Sequence, residues 1–260
     1  CALVSRQFRL HILRAVMERA VYSKTSKLIT VGEYIQLEGP RLNSLGQPKR
    51  RAPVTCPGCD EPVHTVGEGS TSRANTWAHD PNPSGPWCPI KDSIGTKYAL
   101  LPPRKPDVAQ GEALRSAFLG NWKIHWGHVQ EMAQVADVHT LVGFIHEADR
   151  TKFWEHAGLQ EWHIPYVFLA SCEFPPRANR GEWLRFMFDG KVRTLEDLWI
   201  RTTGVWRFLR MRYRRPRSGS PGPSNYIDCE LLSPDPGFLA RTFYPPNSYQ
   251  LGVMLKEFGV

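Results

Sequence analysis

The sequence predicts an α+β fold in two parts, residues 1–103 and 104–260. Two helix-spaced apolar repeats, at 113–136 and 140–157, precede short runs rich in aromatic and β-branched residues at 166–174, 183–188, 205–215 and 226–232. That order is expected of helices packed on an antiparallel sheet. Ahead of them, residues 53–95 set a Cys-x-x-Cys pair, a histidine and a third cysteine among prolines and glycines, as in a loop-rich module that needs a staple.

From the N-terminus, Leu3, Phe8, Ile12, Val16 and Ala20 repeat every three to four residues, predicting an amphipathic helix over 3–20 with Arg6, Arg9, Arg14 and Arg19 on its solvated face. Residues 27–38 are rich in β-branched and aromatic side chains and predict one or two strands. Gly39-Pro40 opens a polar loop to Pro53 that carries the basic cluster Lys49, Arg50 and Arg51. After the cysteine module, Pro102, Pro103 and Pro106 read as a hinge. Leu114, Phe118, Trp122, Trp126 and Val129 mark the inner face of the first long helix. Leu141, Phe144, Ile145 and Phe153 mark that of the second, which Gly158 ends. Tyr166–Phe174 predicts a buried strand closed by Pro175-Pro176, and Trp183–Phe188 another, closed by Asp189-Gly190. Leu195–Trp199 suggests one helical turn, and Val205–Arg215 and Tyr226–Leu232 two further strands.

At 260 residues, with 41% hydrophobic and 11% aromatic side chains, the chain can bury a proper core and is not of disordered type. Its 33 Lys and Arg against 25 Asp and Glu leave a net charge of +8, and a pI of 9.3 favours a polyanionic partner. No apolar run reaches the roughly 18 residues of a membrane span, and Arg6, Arg9, His11 and Arg14 interrupt any signal-like core, so no membrane role is expected. Cys1, Cys172 and Cys229 are scattered without disulfide-framework spacing, consistent with reduced thiols and a cytoplasmic setting.

Cys56-Pro57-Gly58-Cys59 has the gap that brings two thiolates onto one ion from a tight turn. His79 and Cys88 complete four ligands, which leave no open coordination position and so predict a structural Zn²⁺. His64 competes for the histidine place, and a thioredoxin-like redox pair or unconnected free cysteines are the alternatives. The turn-rich setting between Pro53 and Pro62 argues against a redox pair at a helix start.

The second candidate is a run of six arginines in eleven positions: Arg207, Arg210, Arg212, Arg214, Arg215 and Arg217. On a strand, Arg210, Arg212 and Arg214 share one face, a spacing that can follow a phosphate backbone. A charged edge strand guarded against aggregation fits the same pattern. Trp122, Trp126, Trp154, Trp162, Trp183, Trp199 and Trp206 suit core packing better than base stacking. His125, His128, His139 and His146 have no carboxylate to complete a metal set. Asp228 and Glu230 share a strand face as a nuclease pair would, but no lysine follows them. Phosphate-loop, nucleophile-elbow and His-Glu-x-x-His motifs are missing from the sequence.

The stretch Cys56-Pro-Gly-Cys59-Asp-Glu-Pro62-Val63, followed by Trp77-Ala78-His79 and by Cys88, resembles the N-terminal zinc-finger-like segment of the competence protein CoiA-like family. The likeness covers less than a fifth of the chain. It implies His79 as the histidine ligand and a setting in bacterial DNA metabolism, mobile elements or phage defence. It also implies a nuclease-like domain after the finger, to which residues 107–260 show no match. The expectation is a zinc-containing DNA- or RNA-binding protein, non-catalytic in itself and a subunit of a larger complex. A metal-dependent nuclease and a protein-interaction adaptor are the alternatives.

Overall fold

The computed structural model describes residues 17–72, 74–80, 88, 90, 100–134, 137–177, 181–188, 192, 195–200, 206–217, 219, 221 and 225–260. Within these, the chain is α+β, with helices and antiparallel sheets.

Two small sheets open the fold. β1 (Arg19–Tyr22) lies between β2 (Leu28–Thr30) and β3 (Val54–Thr55), antiparallel to both. β4 (Val63–Val66) and β5 (Thr76–His79) form an antiparallel hairpin. The helix expected over 3–20 lies outside the described residues as far as 16, and its last residues are strand instead. Ala20, Val21 and Tyr22 are buried together between two partners, and this pairing overrides the local helical spacing.

The strands expected over 27–38 shrink to β2, after which α1 (Val31–Glu38) begins. Thr30 and Glu33 form a capping box: the Glu33 amide donates to Thr30 Oγ1 at 3.2 Å and the Thr30 amide to Glu33 Oε2 at 2.6 Å. Gly39, at φ 79°, ends the helix.

The helix expected over 113–136 is two helices, α2 (Val108–Gly120) and α3 (Trp122–Ala133), broken at Asn121. Asp107 caps α2 by accepting from the Gln110 amide. α4 (Val138–Arg150) ends earlier than the expected 157, and Lys152, in the left-handed region at φ 57°, leads into a 3₁₀ turn at Phe153–Glu155. Tyr166–Ser171 is not a strand. It belongs to α5 (Ile164–Ser171), and only β6 (Glu173–Phe174) is extended. Residues 164–169 are all buried, so the helix is apolar on every side, and such a run carries no period that separates helix from strand.

β6, β7 (Trp183–Phe188), β8 (Phe208–Tyr213) and β9 (Tyr226–Leu232) form a four-stranded antiparallel meander in that order. α6 (Asp197–Ile200) falls where one helical turn was expected. α7 (Ser248–Phe258), not anticipated, is capped by Asn247 and Gln250.

One sheet face meets the helices: Phe208 packs edge-on to Tyr166 at 5.2 Å and Phe186 to Phe174 at 5.5 Å. The opposite face carries Leu209, Met211, Tyr213, Tyr226 and Cys229, brought together by an irregularity in register beside Arg212 and Tyr213. Buried side chains from Met17 to Met254 join in one cluster that runs through both halves of the chain. Trp77, Trp122, Trp126 and Trp154 belong to this core, while Trp162, Trp183, Trp199 and Trp206 pack against it partly exposed.

Four histidines, His125, His128, His156 and His163, are also buried. Burial, reinforced by Arg241 and His125 and opposed by Asp235, lowers the His128 pKa to about 4. Burial likewise lowers His163 to about 4, and the Gln160 amide donates to its Nδ1 at 3.0 Å. Unfolded, both would titrate near 6.5, so the unfolded state takes up protons first as pH falls. Their contribution is complete above about pH 6.5 and is lost toward pH 4, on the order of 2–3 kcal/mol for each. Melting temperature is therefore expected to fall between pH 7 and 4.5. His128→Gln should flatten that fall; an unchanged slope would contradict this origin.

Candidate metal centre

β3 and β4 run into and out of a tight turn at Cys56–Cys59, closed by the Asp60 amide donating to the Cys56 carbonyl at 3.0 Å and the Cys56 amide to the Glu61 carbonyl at 2.8 Å. Asp60 takes the left-handed conformation at φ 61°, which lets the chain reverse directly after the second cysteine. The Gly58 amide points at Cys56 Sγ, 3.3 Å away. This backbone arrangement turns both sulfurs to one side.

The β4–β5 hairpin supplies the histidine. Val63 pairs with His79, which places the ring beside the start of β4 and its Nε2 3.3 Å from Cys59 Sγ. Strand alternation sends His64 to the other face, where Nδ1 meets Asp80 at 2.9 Å and the side chain is exposed. Trp77, on the same face of β5 as His79, is buried, donates to the Ile29 carbonyl at 3.2 Å and packs edge-on to Tyr34. It locks the hairpin onto the first sheet.

Cys88 Sγ lies 3.6 Å from Cys56 Sγ, and the four donor atoms of Cys56, Cys59, His79 and Cys88 all fall within 4.8 Å of one another. A tetrahedral ion with metal–sulfur bonds of about 2.3 Å separates its sulfur ligands by roughly 3.8 Å. The donor set is soft, mostly buried and spaced to hold a metal ion. Without one, hydrogen bonds from Cys56 and Cys88 depress the Cys59 pKa, while burial raises that of Cys56. A cation would allow the remaining thiols to ionise. Four protein ligands leave no position for substrate, so the centre would act by holding the fold.

The knuckle is covered. Cys56, Pro57, Gly58 and Cys59 are all buried, although a hairpin tip ordinarily faces water. At the margin, Arg207 Nη2 donates to Asp60 Oδ1 across 147 residues of sequence.

The arginine run divides into two sets. Arg210 is paired with Glu230 directly opposite on β9 and donates to the Met132 carbonyl at 3.0 Å. Arg212 makes a two-point contact with Asp228, with Nε to Oδ1 at 2.7 Å, and reaches Glu182 at 3.4 Å. That face lies on the helix side of the sheet, so Arg210 and Arg212 do not form an open row with Arg214. The same pairs engage Asp228 and Glu230, the carboxylates considered for a nuclease. Arg214, Arg215 and Arg217, beyond the end of β8, are exposed and have no ion pair among the described residues. In the other basic cluster, Arg51 is held by Glu68 through two contacts of 3.1 Å over the Tyr34 ring. Lys49 donates to the Glu38 carbonyl at 3.0 Å, and Arg50 is exposed. Alternating Arg and acidic residues on β8 and β9 were the available signal for these cross-strand pairs, visible only once the register is known.

No protein-family model, curated protein or solved structure matches this chain. No described helix is long and apolar enough to cross a membrane.

Proposed function

We propose that the Cys56, Cys59, His79, Cys88 centre binds one structural zinc and that the protein binds nucleic acid without cutting it. The convergence of four soft donors within 4.8 Å carries the metal assignment. The nucleic-acid assignment rests on the +8 net charge together with exposed Arg214, Arg215 and Arg217. Arg50 adds a second exposed cation on the preceding module. Asp228 and Glu230 are engaged by arginines, which favours binding over metal-dependent cleavage. The likeness of the knuckle to the CoiA-like finger supports a zinc-finger-like module and a place in bacterial DNA processing, mobile elements or defence, in the cytoplasm and within a larger complex.

Changing Arg214, Arg215 and Arg217 together to Gln tests the contact surface. Each neutralised phosphate contributes about 0.7 to 0.9 to the salt slope of binding. The triple variant should bind DNA or RNA more weakly at low salt, with the slope flatter by about two, and little dependence on sequence. Unchanged affinity with increased light scattering would mean that these charges guard against aggregation, and would favour an adaptor that meets a partner protein. Incubation with Mg²⁺ or Mn²⁺ should leave labelled DNA and RNA intact. Cleavage abolished by Asp228→Ala would replace this reading with the nuclease.

A further inference from the structure

We infer that residues 241–258 form a detachable strap, in which α7 and its tether lift from α3 and α4 as one unit while the rest of the chain stays folded, and that Gly127 is the notch that seats it. The strap involves none of the metal ligands and none of the exposed arginines proposed to meet phosphate. Its anchor precedes it in the chain. Phe238, in a 3₁₀ turn at Pro236–Ala240, is fully buried and lies flat on His128 at 4.1 Å. The Asp235 amide donates to Tyr166 Oη at 2.8 Å. Residues 241–247 then run without helix or strand to α7. Beyond the anchor the hold is slight. Met254 is the buried residue of α7, while Tyr249 and Leu255 are 62% and 63% exposed. The clasps lie at the surface: Arg241 meets Glu131 at 3.0 Å, His139 Nε2 lies 2.8 Å from Tyr249 Oη, and His146 Nε2 lies 3.4 Å from Glu257.

Exposed pairs of this kind add little to stability, and a segment that buries so little apolar surface opens at less cost than the whole fold. α7 also carries its own caps, Asn247 with Gln250 at its start and Gly259 at its end, so its termini need nothing from the rest of the chain. Phe243 is what gives the strap a fixed seat. It stands at Gly127, a buried glycine in the middle of α3, where a Cβ would overlap the Cβ of Phe243 and lie 2.5 Å from its Cγ. The Arg241 guanidinium covers the same ring at 4.8 Å, and the His128 ring meets it at 6.0 Å. Glycine weakens a helix interior, and here it leaves the room that the strap needs. Opening uncovers this notch and the α4 strip at His139 and His146.

The test is native-state hydrogen exchange of the full chain, read by mass spectrometry for wild type, Gly127→Ala, Phe243→Ala, the double variant and Gly143→Ala. A helix of 11 residues is marginal alone, so its amides lose protection when it lifts. In wild type, exchange at 248–258 should be at least about tenfold faster than at 164–171, the buried α5. Gly127→Ala should quicken exchange at 243–258 by about a further tenfold, through the clash with Phe243, and leave α5 and β7–β9 unchanged. Phe243→Ala should also quicken 243–258. Adding Gly127→Ala to it should do no further harm, because the clash is gone and alanine is the better helix former. Gly143→Ala, on α4 with open space at its Cβ position, should leave 243–258 as in wild type. Exchange at 248–258 no faster than at α5 in wild type would overturn the strap. So would unchanged exchange at 243–258 in Gly127→Ala, additive effects in the double variant, or quickening spread through α5 and the large sheet.

Discussion

Cys59→Ser is expected to lose the metal and to loosen the knuckle and the β4–β5 hairpin. Cys59 Sγ lies 3.3 Å from His79 Nε2, so its sulfur joins the turn to the hairpin. Structural zinc contributes an apparent 10–16 kcal/mol in small modules, and one of four ligands accounts for on the order of a quarter of that. Zinc affinity should therefore fall by about 10²- to 10³-fold. The cysteine module has little else to hold it, since β3 pairs through only two residues and the turn itself has no helix. Because Cys56, Pro57, Gly58 and Cys59 are buried, amide exchange at 54–66 should quicken when the metal is lost. A variant that retains zinc at wild-type affinity would show that Cys59 is not a ligand.

Trp77→Ala is expected to destabilise the protein by about 3–5 kcal/mol, the range for emptying a buried tryptophan site. Trp77 is 1% exposed, and its partners come from distant points of the chain: the Ile29 carbonyl, the Tyr34 ring and the Met17 backbone. Deletion leaves a cavity between the two small sheets and removes the indole hydrogen bond to the Ile29 carbonyl. Because His79 lies two residues along the same strand face, zinc affinity should fall as well. Trp77→Phe, which keeps the edge contact but loses the indole hydrogen bond, should be milder. Denaturant unfolding in saturating zinc measures the packing loss, and a change below 1 kcal/mol would contradict the role assigned to this side chain.

The legible parts of the sequence were those where one residue type carries its meaning locally. The Cys56/Cys59 spacing and the Trp77-Ala-His79 step mark the four donors that converge in space. The buried-type run Trp183–Phe188 and the strand expected over Tyr226–Leu232 match β7 and β9. Errors arose where long-range packing decides. Tyr166–Ser171 is apolar throughout, and only its burial between helices and sheet makes it α5 rather than a strand. Thr30 and Glu33 were a capping signal hidden among β-branched residues. The arginine run shows its partners only across strands. Its pairing with Asp228 and Glu230 belongs to the register of β8 against β9, and Asp60 lies 147 positions from Arg207.

Metal content of the purified chain tests the central claim most directly. Protein prepared without chelators or added metal, and analysed for zinc, iron, nickel and copper against protein concentration, should hold one zinc per chain. Cobalt exchanged into the site should give the strong visible bands of a tetrahedral thiolate-rich centre, absent in Cys59→Ser. Protein that is folded yet holds no metal and gains none on titration, or that contains a Cys56–Cys59 disulfide, would contradict the account.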